Sequence, residues 1–146
     1  MAEKKPKLTL IRGISGSGKS TMAMGVEDSW WQETDSYFYN DFDEYQFDNS
    51  KLKEKHNLCF NDTKSLLDFG ANVVVSNTFI KPWEANRYIE LAKENGYELK
   101  IISLTTDYGS IHAPQHVVDR QKESYRIWNK VGEYEYEEGN YVFKRG

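Results

Sequence analysis

The chain has 146 residues, 38% hydrophobic and 14% aromatic, with 19 basic against 23 acidic residues and a net charge of −4. That size predicts one domain, residues 1–146, with a core of two or three layers. No apolar run is long enough to span a bilayer, and Met1-Ala2-Glu3-Lys4-Lys5-Pro6 has no signal-peptide core, so a cytoplasmic protein without a membrane partner is expected. The acidic balance argues against general duplex binding, which rests on many Lys and Arg contacts to phosphate. The single cysteine, Cys59, excludes an internal disulfide, fits a reducing compartment and reads as a small buried hydrophobe.

Residues 1–6 read as a loose basic lead-in, followed by a strand over 7–12 around Leu8-Thr9-Leu10-Ile11. Gly13-Ile14-Ser15-Gly16-Ser17-Gly18-Lys19-Ser20 then fits the phosphate-loop pattern G-x-x-x-x-G-K-[ST], between that strand and a helix expected from Gly18 to about Asp28. The residue types suit the chemistry. Glycines let backbone N–H groups curl around phosphate oxygens, and the helix N-terminus adds partial positive charge. Lys19 can reach the β- and γ-phosphates and the Ser20 hydroxyl can ligate Mg²⁺. Gly13, Ser15, Gly16, Ser17, Gly18, Lys19, Ser20 and Thr21 are therefore expected to bind a nucleoside triphosphate, with Ser20 on the metal.

From Trp30 to Asp48 eight aromatic residues interleave with acids and no basic residue, which predicts a second strand near Trp31 to Thr34 and then an ordered loop. A helix follows over Ser50 to Phe69, with Leu58, Leu66, Leu67 and Phe69 apolar and Gly70 as the stop. Asn72-Val73-Val74-Val75-Ser76 is a buried strand by composition. Pro82 to Asn95 is the next helix, and Tyr97 to Leu104 a further strand. A polar loop, Thr105 to Ala113, leads to a helix from Pro114 to about Lys130, with Val117, Val118, Tyr125 and Trp128 on one side. Gly132 to Phe143 alternates aromatic with acid around Glu138-Gly139-Asn140 and reads as an edge β-hairpin. The order is α/β with a mostly parallel sheet, whose ligand sits at the carboxyl ends of the strands.

Residues just after strands are thus the candidates. Asp35 follows the second strand, where a carboxylate can orient an acceptor hydroxyl and accept its proton. Glu33 is a weaker candidate, through water to Mg²⁺. After the third strand, Asn77 can orient water or substrate and Thr78 can hydrogen-bond an acceptor, although small polar residues also simply cap strand ends. Tyr37 joins Asp35, Asn77 and Thr78 as an expected acceptor contact. Arg120, with Arg126 nearly two turns on, can neutralise a transferring phosphoryl group, or lie on a solvated helix face beside Asp119 and Lys122. His112 and His116 have no Cys or acid at metal-ligand spacing and read as surface residues, as do Lys51, Lys53 and Lys55.

Together the segments resemble the small phosphate-loop kinases related to the kinase domain of phage polynucleotide kinase. The similarity lies in Gly13 to Thr21, Thr34-Asp35-Ser36-Tyr37-Phe38-Tyr39, Tyr45-Gln46-Phe47-Asp48, Val73 to Thr78, Pro82-Trp83-Glu84, Tyr88 to Ala92, Gly96-Tyr97-Glu98 and His112-Ala113-Pro114 to Arg120. It covers roughly residues 7 to 128 in order. The resemblance implies a phosphate-loop kinase fold, a three-layer sandwich, and transfer of the γ-phosphate of ATP to a hydroxyl, in the best-known case a nucleic-acid 5′-hydroxyl. By the same resemblance Asp35 falls on the catalytic aspartate, Thr78 near the acceptor and Arg120 on the arginine of the helix after the lid, so that Lys19 of the loop, Asp35 and Arg120 are the expected catalytic residues.

Three positions depart from the family pattern. Ser36 stands for a second acid, Ser76-Asn77 for the acid at the third strand's end, and residues 105–111 contain no arginine. Two alternatives therefore stand beside a polynucleotide-type kinase. One is a kinase of a small acceptor such as a nucleoside, modified base or nucleotide-sugar; the other is a degenerate ATP-binding interaction module.

Overall fold

In the computed structural model, residues 5–80, 82–104, 107–110, 113–125, 132–137 and 140–145 are described. Strand β1 (Lys7–Arg12) runs into the phosphate loop and helix α1 (Lys19–Met24); β2 (Trp30–Gln32) follows, then a 3₁₀ turn (Thr34–Phe38). A second 3₁₀ turn (Asn49–Lys51) opens α2 (Leu52–Asp68), succeeded by β3 (Val73–Ser76), α3 (Pro82–Glu94), β4 (Glu98–Ser103), α4 (Gln115–Tyr125), β5 (Gly132–Glu137) and β6 (Asn140–Arg145). The sheet order is β2-β3-β1-β4-β5-β6. The first four strands are parallel, whereas β5 runs antiparallel to β4 and β6 antiparallel to β5. The expected C-terminal hairpin is thus present at the sheet edge, with Glu138 and Gly139 outside the described residues.

Strand periodicity divides the core between the two faces of the sheet. Leu8, Leu10, Val73, Val75, Leu99 and Ile101 point to one face, under Cys59 and Leu67 of α2 and Ala85, Tyr88, Ile89 and Ala92 of α3. Ile11 and Val74 point to the other, where Ala23 of α1 covers them. Val118 of α4 packs on Ile14 and Ile80 at the carboxyl end of the sheet. Helices on both faces make this the layered α/β architecture expected.

Element boundaries shift where tertiary partners decide. Helix α1 stops at Met24, short of Asp28, because the Gly25 N–H closes on the Met22 carbonyl at 3.1 Å and Asp28 adopts φ 53°. Strand β2 begins at Trp30, whose N–H donates to the Asn72 carbonyl at 2.8 Å, and ends before Thr34, which the 3₁₀ turn takes. On α2 the buried positions are Cys59, Thr63 and Leu67, four residues apart on one stripe. Leu58 and Phe69 fall off that stripe and are exposed, Phe69 to 89%, contrary to the apolar face expected of them. Helix α4 is described to Tyr125; Arg126 and Trp128 lie outside the described residues.

Candidate active site

The chain turns sharply after β1, and its glycines are required there. Gly16 and Gly18 take φ 83° and 90°, and a Cβ on Gly13 would stand 2.3 Å from the Ser17 Oγ. The Gly13 N–H donates to the Thr78 carbonyl at 3.1 Å, which fastens the loop to the segment leaving β3. The Ser15 N–H donates to Oε1 of Gln121 on α4 at 2.8 Å. Ser17 is buried, and its hydroxyl has no hydrogen-bond partner among the described residues. A glycine cradle that a Cβ would fill, with an orphaned hydroxyl inside it, fits a chain of phosphates.

Lys19 is buried, and its Nζ donates to the Ile14 carbonyl at 2.8 Å. Burial lowers its pKa from 10.5 to about 8, against the opposing pull of Glu33 and Asp35. The lysine and both carboxylates of the β2 exit therefore share one electrostatic neighbourhood. Ser20 donates through Oγ to Glu33 Oε1 at 2.7 Å, and burial raises the Glu33 pKa while its bonds from Ser20 and Ser76 oppose the rise. Glu33 thus occupies the space beside Ser76 where the sequence lacks an acid at the end of β3. Ser20 and Glu33 together are a hard oxygen pair suited to Mg²⁺.

Asp35 is exposed on the 3₁₀ turn, next to the buried Thr34. Burial and the neighbouring Asp35 push the Tyr45 hydroxyl up to about 12, with Tyr45 hydrogen-bonded to that carboxylate. Tyr37, expected at the acceptor, has its hydroxyl between two acceptors that share its one proton, Gln32 Oε1 at 2.9 Å and the Asp62 carboxylate; burial is the largest cause of its raised pKa. Asn77 is buried and occupied by the protein itself. Its Oδ1 accepts the Thr34 N–H at 2.9 Å, and its Nδ2 lies 3.9 Å from the Cys59 Sγ. It holds the Asp35 turn against the end of β3. Thr78 is half-buried, at the loop through its carbonyl. His116 is exposed and His112 lies outside the described residues.

Arg120 is exposed on α4, and its neighbours Val118 and Gln121 make that helix's contacts to the phosphate loop. The segment after β4 reaches the loop as well. The Tyr108 N–H donates to the Gly16 carbonyl at 2.8 Å, and its ring lies 3.4 Å from where a Gly18 Cβ would be. Asp107 pairs with Lys122 at 2.6 Å and caps the Gly109 N–H at 2.9 Å.

Three residues at this site are absent from the sequence-based expectations. Arg12 is fully buried at the end of β1, donating through Nε to the Phe79 carbonyl (2.9 Å), through Nη2 to the Ile80 carbonyl (3.1 Å) and through Nη1 to Ser103 Oγ (3.3 Å). A charge closing an apolar strand is the signal that could have found it. His56 of α2 meets Thr34 Oγ1 at 3.0 Å, its pKa lowered chiefly by burial and then by Arg87. Gln121 carries no sequence signal of its own.

A phosphate loop leaving a central parallel strand, with a buried lysine and two carboxylates at the exit of β2, defines a kinase-type phosphate-loop fold for nucleotide binding. The chain belongs to the AAA domain family AAA_33, whose model matches residues 8–124. NEDD4-binding protein 2 of Homo sapiens is 32% identical over 97 residues, covering 63% of this chain and 5% of that protein's length, so the chain spans a small part of this relative. Among solved structures, the Pnkp1/Rnl/Hen1 RNA repair complex matches 86% of this chain and 46% of that chain, at TM-score 0.65 and 15% identity. The Mycobacterium tuberculosis APS kinase CysC, as its Cys556Ala mutant, matches 86% of this chain and 97% of that chain, at TM-score 0.55 and 19% identity.

Proposed function

We propose that this protein transfers the γ-phosphoryl group of ATP to a hydroxyl, with a nucleic-acid 5′-hydroxyl as the leading acceptor. The observation that carries the reading is the convergence of Lys19, Ser20, Glu33 and Asp35, one cation and two acids around the start of α1. In the step proposed, the acceptor oxygen bonds to the γ-phosphorus and the bond to the β,γ-bridging oxygen breaks, releasing ADP. The hydroxyl proton passes to the exposed Asp35 carboxylate. Lys19 leaves the Ile14 carbonyl to neutralise phosphate charge. Mg²⁺, when held by Ser20 and Glu33, supplies further positive charge to the phosphates. Similarity to an RNA repair complex containing Pnkp1 supports a nucleic-acid acceptor. The acidic stretch from Trp30 to Asp48 favours a second reading, a small acceptor, because it repels a long polyanion.

The test is label transfer from γ-labelled ATP with Mg²⁺ to 5′-hydroxyl DNA, 5′-hydroxyl RNA and a nucleoside and nucleotide pool. Asp35→Asn should lower kcat by about 10²–10⁴ while ATP affinity holds. Measurable ATP binding without transfer to any acceptor would refute the kinase reading and leave a nucleotide-binding module.

A further inference from the structure

Beyond the phosphate loop, a pocket of about 310 Å³ opens beside the Asp35 turn. Its lining includes the rings of Phe38, Tyr39 and Phe47, the cations Lys51 and Lys55, and the Asp48 carboxylate. Phe38 and Phe47 pack with ring centroids 5.0 Å apart, and the Lys55 Nζ lies 5.9 Å from the Phe38 ring centre. Tyr39 and Phe47 are about half exposed, so aromatic surface faces the opening. The two lysines stand four residues apart, one helical turn, at the entry to α2. That is the end of a helix where cations are disfavoured, and like charges at this spacing repel.

Neither lysine forms an ion pair with a described residue. Asp48 lies within electrostatic reach of Lys51, but its Oδ1 is occupied by the Ser50 N–H at 3.0 Å and the Ser50 hydroxyl at 2.6 Å. Two repelling cations at a helix N-terminus, beside exposed rings, are complementary to a ligand with one aromatic ring and one phosphate. The pocket also adjoins the proposed proton acceptor. Asp35 lies three residues before Phe38 on the same 3₁₀ turn, about 6 Å along its axis. Its Tyr45 partner bridges in antiparallel fashion to Tyr39 in the pocket wall.

We propose that this pocket is the acceptor subsite of the kinase reached above, and that it takes a single nucleotide. The base stacks on Tyr39 and Phe47, the phosphate lies between Lys51 and Lys55, and a sugar hydroxyl is directed to Asp35. The inference rests on the kinase reading and takes its second form, the small acceptor, over the nucleic-acid end. Its volume is at the small end of ligand pockets, about 300–1,000 Å³, and suits one nucleotide unit. Asp41, Asp43 and Glu44 belong to the same loop but not to the lining, and they oppose further phosphates. Lys53, exposed between the two lysines in sequence, is not part of the wall and serves as the control.

Calorimetry tests this without turnover. The protein is first titrated with AMPPNP and Mg²⁺; failure of that titration counts against the kinase reading, not against the pocket. The nucleotide-saturated protein is then titrated with adenosine, adenosine 3′-monophosphate, adenosine 5′-monophosphate and a 12-mer 5′-hydroxyl oligonucleotide, about one turn of duplex in length. A monophosphate should bind at least about tenfold tighter than adenosine, and the better isomer identifies which sugar hydroxyl is presented. Lys51→Ala/Lys55→Ala should remove that advantage and Lys53→Ala should keep it, with unchanged thermal unfolding showing that each variant folds. For wild type, added KCl should weaken the monophosphate and leave adenosine unaffected. Equal affinity for adenosine and the monophosphates, an unchanged preference in the double variant, or tighter binding of the oligonucleotide would each overturn the proposal.

Discussion

Replacing Lys19 by methionine should stabilise the fold while removing its function. The side chain keeps its length and loses its charge. Burial holds the folded-state pKa at about 8 against 10.5, which corresponds to about 3 kcal/mol of disfavoured charge. Below pH 8 the lysine is protonated in both folded and unfolded chains, so the folded state carries the whole cost. Between pH 8 and 10.5 the folded chain releases its proton first and the cost fades; above 10.5 none remains. Lys19→Met also gives up the bond to the Ile14 carbonyl, about 1 kcal/mol, leaving a net gain of about 2 kcal/mol at pH 7. For a chain of this size that is about 4–8 °C in Tm. Urea unfolding of both proteins at pH 7 and pH 10 measures it, with AMPPNP binding run alongside. The variant should be more stable at pH 7, the gain should shrink by pH 10, and nucleotide binding should fall sharply. A variant no more stable than wild type at pH 7, or a gain independent of pH, would refute the reasoning.

The same lysine should make nucleotide binding take up a proton above pH 8, because phosphate restores the charge that burial disfavours; calorimetry at pH 8.5 in two buffers of different ionisation heat should show the uptake, which should fade at pH 6.5, where the lysine is already protonated. Gly16→Ala forces a Cβ to φ 83° and to 2.7 Å from the Gly109 backbone, whereas Gly70→Ala, at φ 76°, meets nothing within 4 Å. Both should lose about 1–2 kcal/mol in urea unfolding from the left-handed backbone, and Gly16→Ala should lose more and also lose ATP binding. Asn77→Leu strands the Thr34 N–H and should cost about 1–3 kcal/mol of stability, with kcat falling further than ATP affinity because the Asp35 turn loosens.

The phosphate loop and the four parallel strands are legible from sequence because both are local patterns. Apolar β-branched runs mark β1 and β3, and glycine spacing marks the loop. Ser20 and Lys19 follow from the motif, and Asp35 from its place after β2. What the sequence does not carry is who meets whom. Asn77 reads equally as a substrate contact or a cap until the Thr34 N–H is seen on its amide oxygen. Glu33 reads from sequence as a weaker candidate than Asp35, yet it bonds Ser20 from 13 residues away. Arg120 is prominent by residue type while its neighbour Gln121 makes the contact, since helix phase decides which side chain faces the loop. Lys51 and Lys55 read as solvated cations, and only the folding of the aromatic stretch against α2 turns them into a wall.

The buried guanidinium at the end of β1 has a consequence for how the site is assembled. Arg12 fastens residues 67, 68 and 91 positions away in sequence, from the exit of β3 to the last residue of β4. Before those segments arrive, that cation lies beside the nascent loop without its carbonyl partners, and its burial is unfavourable. The cradle for phosphate is therefore tied through one residue to the exits of β3 and β4, and its integrity depends on the centre of the sheet. A ligand that grips the loop selects for the finished fold, so nucleotide should slow global unfolding and act far less on early, partly folded forms.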